Sequence, residues 1–355
     1  MTSFIKITAA ISLSLLLNAC ISAPPYSSVP AQPAHQPQVK IKTQPDMLRK
    51  QDVQQIAAVE KSATQAGSLT AESVRQKKAA VKDSLAVANL CREIGSTLGS
   101  VSVAYCLAQN FSDAGVISVE GRPIVYQRYL PLAGKAPKGK VLLVGGIHGD
   151  EYSSISIVFK WLQTLDEYHS GLFDWYIIPL LNPDGLLQKK AQRQNANGVD
   201  LNRNFPTPNW DVEAPKYWEK TRKNIRRYPG PRAGSEVESQ LLMNVIDKFK
   251  PDVIISVHAP HSLVDYDGPP KAPSQLGDLH LRRLGVYPGS LGNYAGVHKG
   301  VQVITIELAS AGIMPDEKEV ATMWTDLIRY LISNEKFQQK KSATVSNSDS
   351  AAGLN

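Results

Sequence analysis

The stretch Lys140-Val141-Leu142-Leu143-Val144-Gly145-Gly146-Ile147-His148-Gly149-Asp150-Glu151 decides the fold class of this chain. Residues 140–146 contain a short apolar run bounded by glycines, which is typical of a strand buried on both faces of a sheet. The polar turn that follows leads into residues 153–165, whose apolar spacing predicts a helix. A buried strand that feeds a helix in this way indicates an α/β sheet, in which ligands gather beyond the carboxyl ends of the strands.

The same alternation of strands and helices continues on both sides of this stretch. The further strands are predicted at 124–132, 175–181, 252–257 and 301–308, and the further helices at 235–249 and 318–336. Together these elements predict an α/β domain with a mixed, largely buried β-sheet flanked by helices. We place this catalytic domain at residues 91–337.

The N-terminal residues have the pattern of an export signal. Lys6 precedes an apolar run, 7–17, that is too short to cross a bilayer as a mature helix, so residues 1–20 are predicted to be a signal peptide. The run ends in Leu17-Asn18-Ala19-Cys20, which resembles a bacterial lipobox with Cys20 as the lipidated residue. The alternative is an ordinary signal peptide with a chance cysteine. The expected location is the bacterial cell envelope, lipid-anchored through Cys20 at the outer membrane and facing the periplasm.

Composition divides the rest of the chain. Residues 21–47 are rich in Pro, Ser and Gln and predict a disordered tether, while the Ala- and Lys-rich residues 48–90 predict a helical extension. Residues 338–355 are polar and predict a disordered tail. The net charge of +7 indicates a lysine-rich solvated surface, and no signature of a nucleic-acid-binding fold accompanies it. We therefore expect no nucleic-acid partner.

Two cysteines remain once Cys20 is assigned to a lipid. Because an exported protein lies where disulfides persist, Cys91 and Cys106 are predicted to be bonded to each other. The alternative is a pair of buried free thiols.

A metal site is indicated at the ends of two predicted strands. His148 and Glu151 lie three residues apart at the turn after 140–146, and His258 ends the buried strand 252–257. Two imidazoles and one carboxylate leave a fourth position open for water, which is the donor set of catalytic zinc sites. Asp150 or a backbone carbonyl is a candidate for orienting an imidazole. The histidines predicted not to be ligands are His169, His261, His280 and His298.

Several motifs occur in an order that resembles the M14 zinc carboxypeptidases. These are His148-Gly149-Asp150-Glu151, Asn182-Pro183-Asp184-Gly185, Gly198-Val199-Asp200-Leu201-Asn202-Arg203-Asn204-Phe205-Pro206, His258 and Glu307. Within that family the chain resembles the murein peptide amidases, through Tyr228-Pro229-Gly230 before Ser235-Glu236 and Val264-Asp265-Tyr266-Asp267-Gly268 after His258. The resemblance covers roughly residues 115–330.

The resemblance implies a zinc carboxypeptidase-like fold and a role for each matched residue. His148, Glu151 and His258 match the ligands of one Zn²⁺, and Glu307 matches the general base. Arg193 matches the arginine that stabilises the oxyanion. The residues matching those that bind the substrate are Asn202 and Arg203, which grip a carboxylate, and Tyr287, for which Tyr294 is a competing candidate. The segment Asn182-Pro183-Asp184-Gly185 is expected to form a turn that shapes the cleft.

The leading functional interpretation is hydrolysis of the amide bond between γ-D-glutamate and diaminopimelate in cell-wall (murein) peptides. The alternatives are a general metallocarboxypeptidase and a deacylase of the aspartoacylase type, which share the zinc chemistry. A catalytically inactive cell-wall-binding lipoprotein is the alternative from another class. It predicts loss of a zinc ligand or of the base, whereas every such position is filled.

Overall fold

The computed structural model describes residues 71–269 and 271–334, with side chains from residue 84 onward. The predictions for residues 1–20, including lipidation of Cys20, for 21–47 and for 338–355 therefore lie outside the described residues. So does most of the predicted helical extension. Within the described ranges, no helix combines the length and the apolar character that crossing a bilayer requires.

A seven-stranded mixed sheet forms the centre of the described region and confirms the predicted fold class. Its strands run in the order β1-β2-β4-β3-β5-β9-β6. The four central strands, β4, β3, β5 and β9, are parallel, and the outer strands pair antiparallel. The strands are β1 (Ser112–Ile117), β2 (Pro123–Tyr129), β3 (Gly139–Val144), β4 (Phe173–Ile178), β5 (Val253–His258), β6 (Leu263–Asp267) and β9 (Gln302–Glu307), and a separate two-stranded hairpin consists of β7 (Gln275–Leu276) and β8 (Leu279–His280).

Helices cover both faces of this sheet. They are α1 (Ala71–Thr97), α2 (Val103–Ala108), α3 (Tyr152–Tyr168), α4 (Pro183–Leu187), α5 (Trp210–Lys220), α6 (Val237–Phe249) and α7 (Glu317–Ser333), with 3₁₀ turns at Leu201–Arg203 and Ile225–Arg227 and a π-helix at Gly292–His298. Alternate residues of a strand point to opposite faces. In β3, Val141 and Leu143 accordingly pack with α3 and α7, and Leu142 and Val144 pack with α6. The apolar run in the sequence is thus a strand buried on both sides.

The helix α1 runs without a break through the predicted boundary between residues 90 and 91. Leu90 and Ile94 lie four residues apart on one face of the helix, and both are buried in the core, as is Leu98 just after the helix ends. Cys91 on the same helix is bonded to Cys106 on α2. The end of the predicted extension is therefore part of the catalytic domain.

The predicted elements are all present, with ends that differ from the expected ones by a few residues. The expected strand at 124–132 stops at Tyr129, and the expected helix at 318–336 runs over Glu317–Ser333 before the described residues end. The strands β1 and β6 and the helix α5 were not predicted. Short edge strands with polar residues, such as the Asp265 and Asp267 positions in β6, lack the continuous apolar run that identified the central strands.

Candidate metal centre and substrate pocket

Three buried side chains meet at the carboxyl edge of the sheet. His148 and Glu151 lie in the turn between β3 and α3, and His258 is the last residue of β5, which pairs parallel with β3. Because adjacent parallel strands end at the same edge, the turn and the strand end are brought together. The side-chain donor atoms of the three residues all lie within 4.8 Å of one another.

The distances within this group fit one zinc ion. Nδ1 of His148 lies 3.1 Å from Nδ1 of His258, and the two oxygens of Glu151 lie 2.7 and 3.1 Å from these same nitrogens. Tetrahedral Zn²⁺ with Zn–N bonds of about 2.0–2.1 Å places two ligand nitrogens about 3.3 Å apart. Both imidazoles thus present Nδ1, and Glu151 presents a carboxylate, toward a common point.

The opposite nitrogen of each imidazole is fixed by a hydrogen-bonding partner. Nε2 of His148 lies 3.1 Å from Oδ1 of Asp200, and Nε2 of His258 lies 2.9 Å from Oγ of Ser256. Such contacts hold the ring orientation and leave Nδ1 for a metal. Asp150, which we had considered for this role, instead pairs with Arg226 at 2.6 Å. Sequence reasoning missed Asp200 as the orienting residue, because only the fold brings it to His148.

Charges around the group keep its carboxylates ionised. Burial alone would raise the pKa of Glu151, but His148 and His258 together hold it well below its usual range. Burial likewise opposes ionisation of Asp200, while Arg193 and His148 lower the pKa of that carboxyl. The anionic partners in turn raise the pKa of His148, against the opposing effects of burial and Arg193. A metal must therefore displace a proton from His148, so zinc binding should weaken at acidic pH.

Glu307 lies beside the metal ligands because of the strand register. It is the last residue of β9 and pairs directly with His258 of the parallel strand β5. Its side chain is 8% exposed, and Oε2 is buried without a hydrogen-bonding partner among the described residues. Burial, together with the charge of Glu151, raises the pKa of Glu307 above its usual value, with His258 opposing this shift. Burying a carboxylate oxygen that forms no hydrogen bond costs folding free energy. The location of Glu307 therefore indicates a functional role.

One cavity of about 500 Å³ contains the metal group and the predicted substrate residues. It is lined by His148, Glu151, His258 and Glu307 together with Arg193, Asn202, Arg203 and Tyr287. The competing candidate Tyr294 is buried in the core, where its ring stacks on Phe205 at 5.7 Å. The structure thus brings the predicted metal-binding, catalytic and substrate-binding residues to one pocket, and of the two tyrosines it is Tyr287 that lines this pocket.

The family comparison agrees with this arrangement. The family model for zinc carboxypeptidases, M14, matches residues 113–274, which include the His148, Glu151 and His258 positions. Residues 113–274 of this chain are thus similar to the M14 zinc carboxypeptidases. The predicted resemblance is thereby confirmed, and Zn²⁺ is the metal that the donor set and this family both indicate.

Known relatives of this chain include two murein peptide amidases. Over 151 residues it is 34% identical to murein peptide amidase A of Escherichia coli K12, which is 42% of this chain and 59% of that protein. It is 32% identical to the enzyme of the same name from Vibrio campbellii, over 42% of this chain and 57% of that protein. The chain thus spans less than two thirds of the curated relatives it matches. The crystal structure of carboxypeptidase A from Helicoverpa armigera shares the fold, with a TM-score of 0.52 and 18% identity over 82% of each chain.

Arg203 is held in the pocket wall by its neighbours. Its Nη1 donates to the carbonyl oxygen of Asn202 at 2.6 Å, and its guanidinium lies over the rings of Tyr217 and Tyr287. Oδ1 of Asn202 accepts a hydrogen bond from the backbone N–H of Leu291, which fixes that side chain as well. A planar, oriented guanidinium suits bidentate binding of a carboxylate.

Arg193 contacts the metal group directly. Its Nη1 is 3.1 Å from Nδ1 of His148 and 3.3 Å from Oε1 of Glu151, and its Nε donates to Asp200 at 3.0 Å. A cation therefore lies beside the candidate metal ligands. The remaining histidines of the described part, His169, His261, His280 and His298, lie outside the metal group, although His261 lines the same pocket.

The turn at Asn182 supports the metal-binding loop. Oδ1 of Asn182 accepts a hydrogen bond from the N–H of Gly185, and its Nδ2 donates to the carbonyl oxygens of Ile147 and Arg193. Gly149 packs so tightly here that an added Cβ would lie 2.1 Å from the carbonyl carbon of Gly185. Glycine is therefore required between the two ligands of the loop. The predicted turn exists and shapes the cleft from behind.

Two buried glutamates, Glu236 and Glu238, support the loop that carries Asp200 and Arg203. Nδ2 of Asn195 donates to both Glu236 and Glu238, and Oδ1 of Asn195 accepts hydrogen bonds from the N–H groups of Asn197 and Val199. Glu238 is fully buried. Burial, with a smaller contribution from Glu236 and against the hydrogen bond from Asn195, raises the pKa of Glu238 from 4.5 to about 7. Glu238 is thus protonated in the folded protein at mildly acidic pH.

Replacing Glu238 with glutamine is expected to flatten the pH dependence of stability. Because the folded protein binds this proton more tightly than the unfolded chain, the free energy of unfolding falls by roughly 3 kcal/mol as the pH rises from 4.5 to 7. Glutamine mimics the protonated form and should remove that loss. Urea unfolding at pH 5 and pH 8 measures the difference, with the exposed Glu219→Gln as control. A variant that loses as much stability as the wild type between these pH values would contradict the assignment.

Proposed function

We propose that this chain is a zinc-dependent hydrolase that cleaves an amide bond next to a free carboxylate in murein peptides, between γ-D-glutamate and diaminopimelate. The observation that carries the proposal is that Glu307 and Arg203 line one cavity with His148, Glu151 and His258. Glu307 and the three metal-site residues can together perform hydrolysis. Arg203 can select a substrate that ends in a carboxylate. The names of the two amidase relatives support the choice of murein peptides.

The residues divide the work of amide hydrolysis among them. A bound Zn²⁺ supplies a Lewis acid that polarises a carbonyl and lowers the pKa of water. Glu307 takes the proton from the attacking water and later delivers one to the departing amine. Arg193 stabilises the negative charge that develops on the carbonyl oxygen. Asp200 holds the ring of His148 so that its Nδ1 would be available to a bound metal.

Acidic residues in the same pocket favour a leaving group that also carries an amine. Asp265 and Asp267 of β6 line the same cavity as the arginines, and Asp265 accepts a hydrogen bond from the N–H of Leu284. Burial and the charge of Asp265 raise the pKa of Asp267 to about 6, so the Asp267 carboxyl is largely ionised at neutral pH. Diaminopimelate has a second amine and a second carboxylate at the far end of its side chain. A pocket that contains both arginines and aspartates is suited to binding the amine and the carboxylate at the far end of diaminopimelate.

The proposal is tested by the product that the zinc-loaded protein releases. Incubation with L-Ala-γ-D-Glu-diaminopimelate should liberate free diaminopimelate, while plain L-peptides with a free C-terminus should be cleaved much more slowly. Release of C-terminal residues from L-peptides without release of diaminopimelate would favour a general metallocarboxypeptidase instead. The measurement is chromatographic quantification of both products in parallel.

The N-terminal pattern supports a matching location. Lipidation of Cys20 and anchoring in the bacterial envelope would bring the active site close to murein or to murein fragments. This part of the proposal depends on the sequence alone. Intact-mass analysis of the exported protein would show an acylated Cys20 as the first residue, and an unmodified mature N-terminus would contradict it.

A further inference from the structure

The 3₁₀ turn Ile225–Arg227 places two adjacent arginines on the wall of the substrate cavity. Nη1 of Arg226 contacts Oδ2 of Asp150 at 2.6 Å, and Nη1 of Arg227 donates to the hydroxyl of Tyr217 at 2.6 Å. Neither arginine belongs to the family motifs. Their position on the wall of the pocket indicates a role in binding the substrate.

The turn is fixed relative to the metal site by hydrogen bonds on both sides. Nε2 of Gln194 donates to the carbonyl oxygen of Ile225 at 2.8 Å, and the N–H of Asp200 donates to the carbonyl oxygen of Tyr228 at 2.8 Å. Gln194 and Asp200 belong to the loop that also carries Arg193. The guanidinium groups of the turn thus extend from a backbone that is tied to the catalytic loop.

The two arginines reach different sides of the metal group. Arg227 contacts Tyr217, whose ring packs against Tyr287 and beneath Arg203, so it lies on the side that binds the free carboxylate. Arg226 contacts Asp150, the residue before the ligand Glu151, and Arg193 contacts Glu151 itself. If the free carboxylate of the substrate binds at Arg203, the acyl part lies toward Arg193 and Arg226.

The charge on Arg226 is available to a ligand. Its side chain is 51% exposed and is held by a single oxygen of Asp150, whereas a guanidinium carries five N–H donors. An exposed ion pair of this kind contributes little to stability, but it can hold an arginine in an orientation suited to a second carboxylate. An arginine oriented by one carboxylate in a cavity is therefore well placed to bind an anionic group of the substrate.

We propose that Arg226 binds a carboxylate on the acyl side of the scissile amide. This inference rests on the proposed function and deepens it, because a γ-linked D-glutamyl residue keeps its α-carboxylate free there. In an ordinary α-linked peptide the same region holds a neutral amide. Arg226 is thus a specificity-determining residue that distinguishes γ-D-glutamyl substrates from plain peptides.

The test compares two tripeptides, L-Ala-γ-D-Glu-diaminopimelate and the same peptide with the α-carboxylate converted to an amide. The wild type should prefer the carboxylate by about tenfold or more in kcat/KM, since hydrogen bonds to charged groups are strong. Arg226→Gln should lose about the same factor on the carboxylate substrate and change little on the amide. Arg227→Gln is the matched control and should leave the ratio between the two substrates unchanged. Zinc content and Tm are measured for each variant.

Two results would overturn the assignment of Arg226. One is equal activity of the wild type on both tripeptides, and the other is an Arg226→Gln variant that loses activity on both by the same factor. If the zinc-loaded wild type cleaves neither tripeptide, the proposed function fails instead. Calorimetric binding of L-Ala-γ-D-Glu and of its α-amide then decides on Arg226 separately, because tighter binding of the carboxylate should disappear only in Arg226→Gln.

Discussion

Replacing Glu307 with glutamine should reduce kcat on a cleavable murein tripeptide by 10²-fold to 10⁴-fold, the usual range for loss of a general base. Glutamine keeps the size of the side chain and its place beside His258 at the end of β9, but it cannot accept the proton of water. Because Glu307 is buried and has a raised pKa, the uncharged replacement should not destabilise the fold. Steady-state kinetics with equal zinc loading measures the effect.

The control for this prediction is Glu219→Gln, an exposed glutamate on α5. It should retain wild-type kcat, and both variants should bind one zinc ion with unchanged Tm. Activity of Glu307→Gln within a few-fold of the wild type would exclude Glu307 as the base. Loss of zinc from Glu307→Gln would show that the side chain is a ligand and not a base.

Replacing His258 with alanine should weaken zinc binding by more than a hundredfold and abolish hydrolysis. The loss of an outer partner of a metal ligand already costs 10-fold to 100-fold in affinity, and His258 is one of three ligands whose Nδ1 atom faces the common point. His261 is a suitable control, because it lines the same cavity but lies outside the metal group. Both variants remove an imidazole from the same cavity. His258→Ala removes a metal ligand, whereas His261→Ala removes a residue of the cavity wall.

The measurement is the zinc content after dialysis against a weak chelator. His261→Ala should retain one zinc ion per chain, and His258→Ala should retain almost none. Equal retention in both variants would contradict the assignment of His258, and loss from His261→Ala would place the metal differently. Because binding must displace a proton from His148, the wild type should also release zinc more readily as the pH is lowered.

The sequence was sufficient to predict the parts of the site that depend on local pattern. The apolar run of β3 and the apolar strand before His258 identified two buried strands, and ligands collect where such strands end. The spacing of His148 and Glu151 in one turn indicated that they converge. Glu307 was assigned through the family resemblance, and only the register of β5 and β9 shows why it meets His258.

Contacts between distant loops could not be derived in this way. Asp200 orients His148 from a loop 52 residues further along the chain, while the nearer Asp150 forms an ion pair with Arg226. Both aspartates are polar residues in turns, so no local pattern distinguishes their roles. The change in composition near residue 90, on which the predicted domain boundary depends, likewise does not interrupt the helix α1.

The most direct test of the central claim is anomalous scattering at the zinc edge from crystals of the zinc-loaded protein. The account predicts one zinc ion within about 2.0–2.2 Å of Nδ1 of His148, Nδ1 of His258 and an oxygen of Glu151, with Glu307 facing it but not bonded to it. A zinc ion bound elsewhere, or Glu307 turned away from the cavity that contains the ion, would contradict the account.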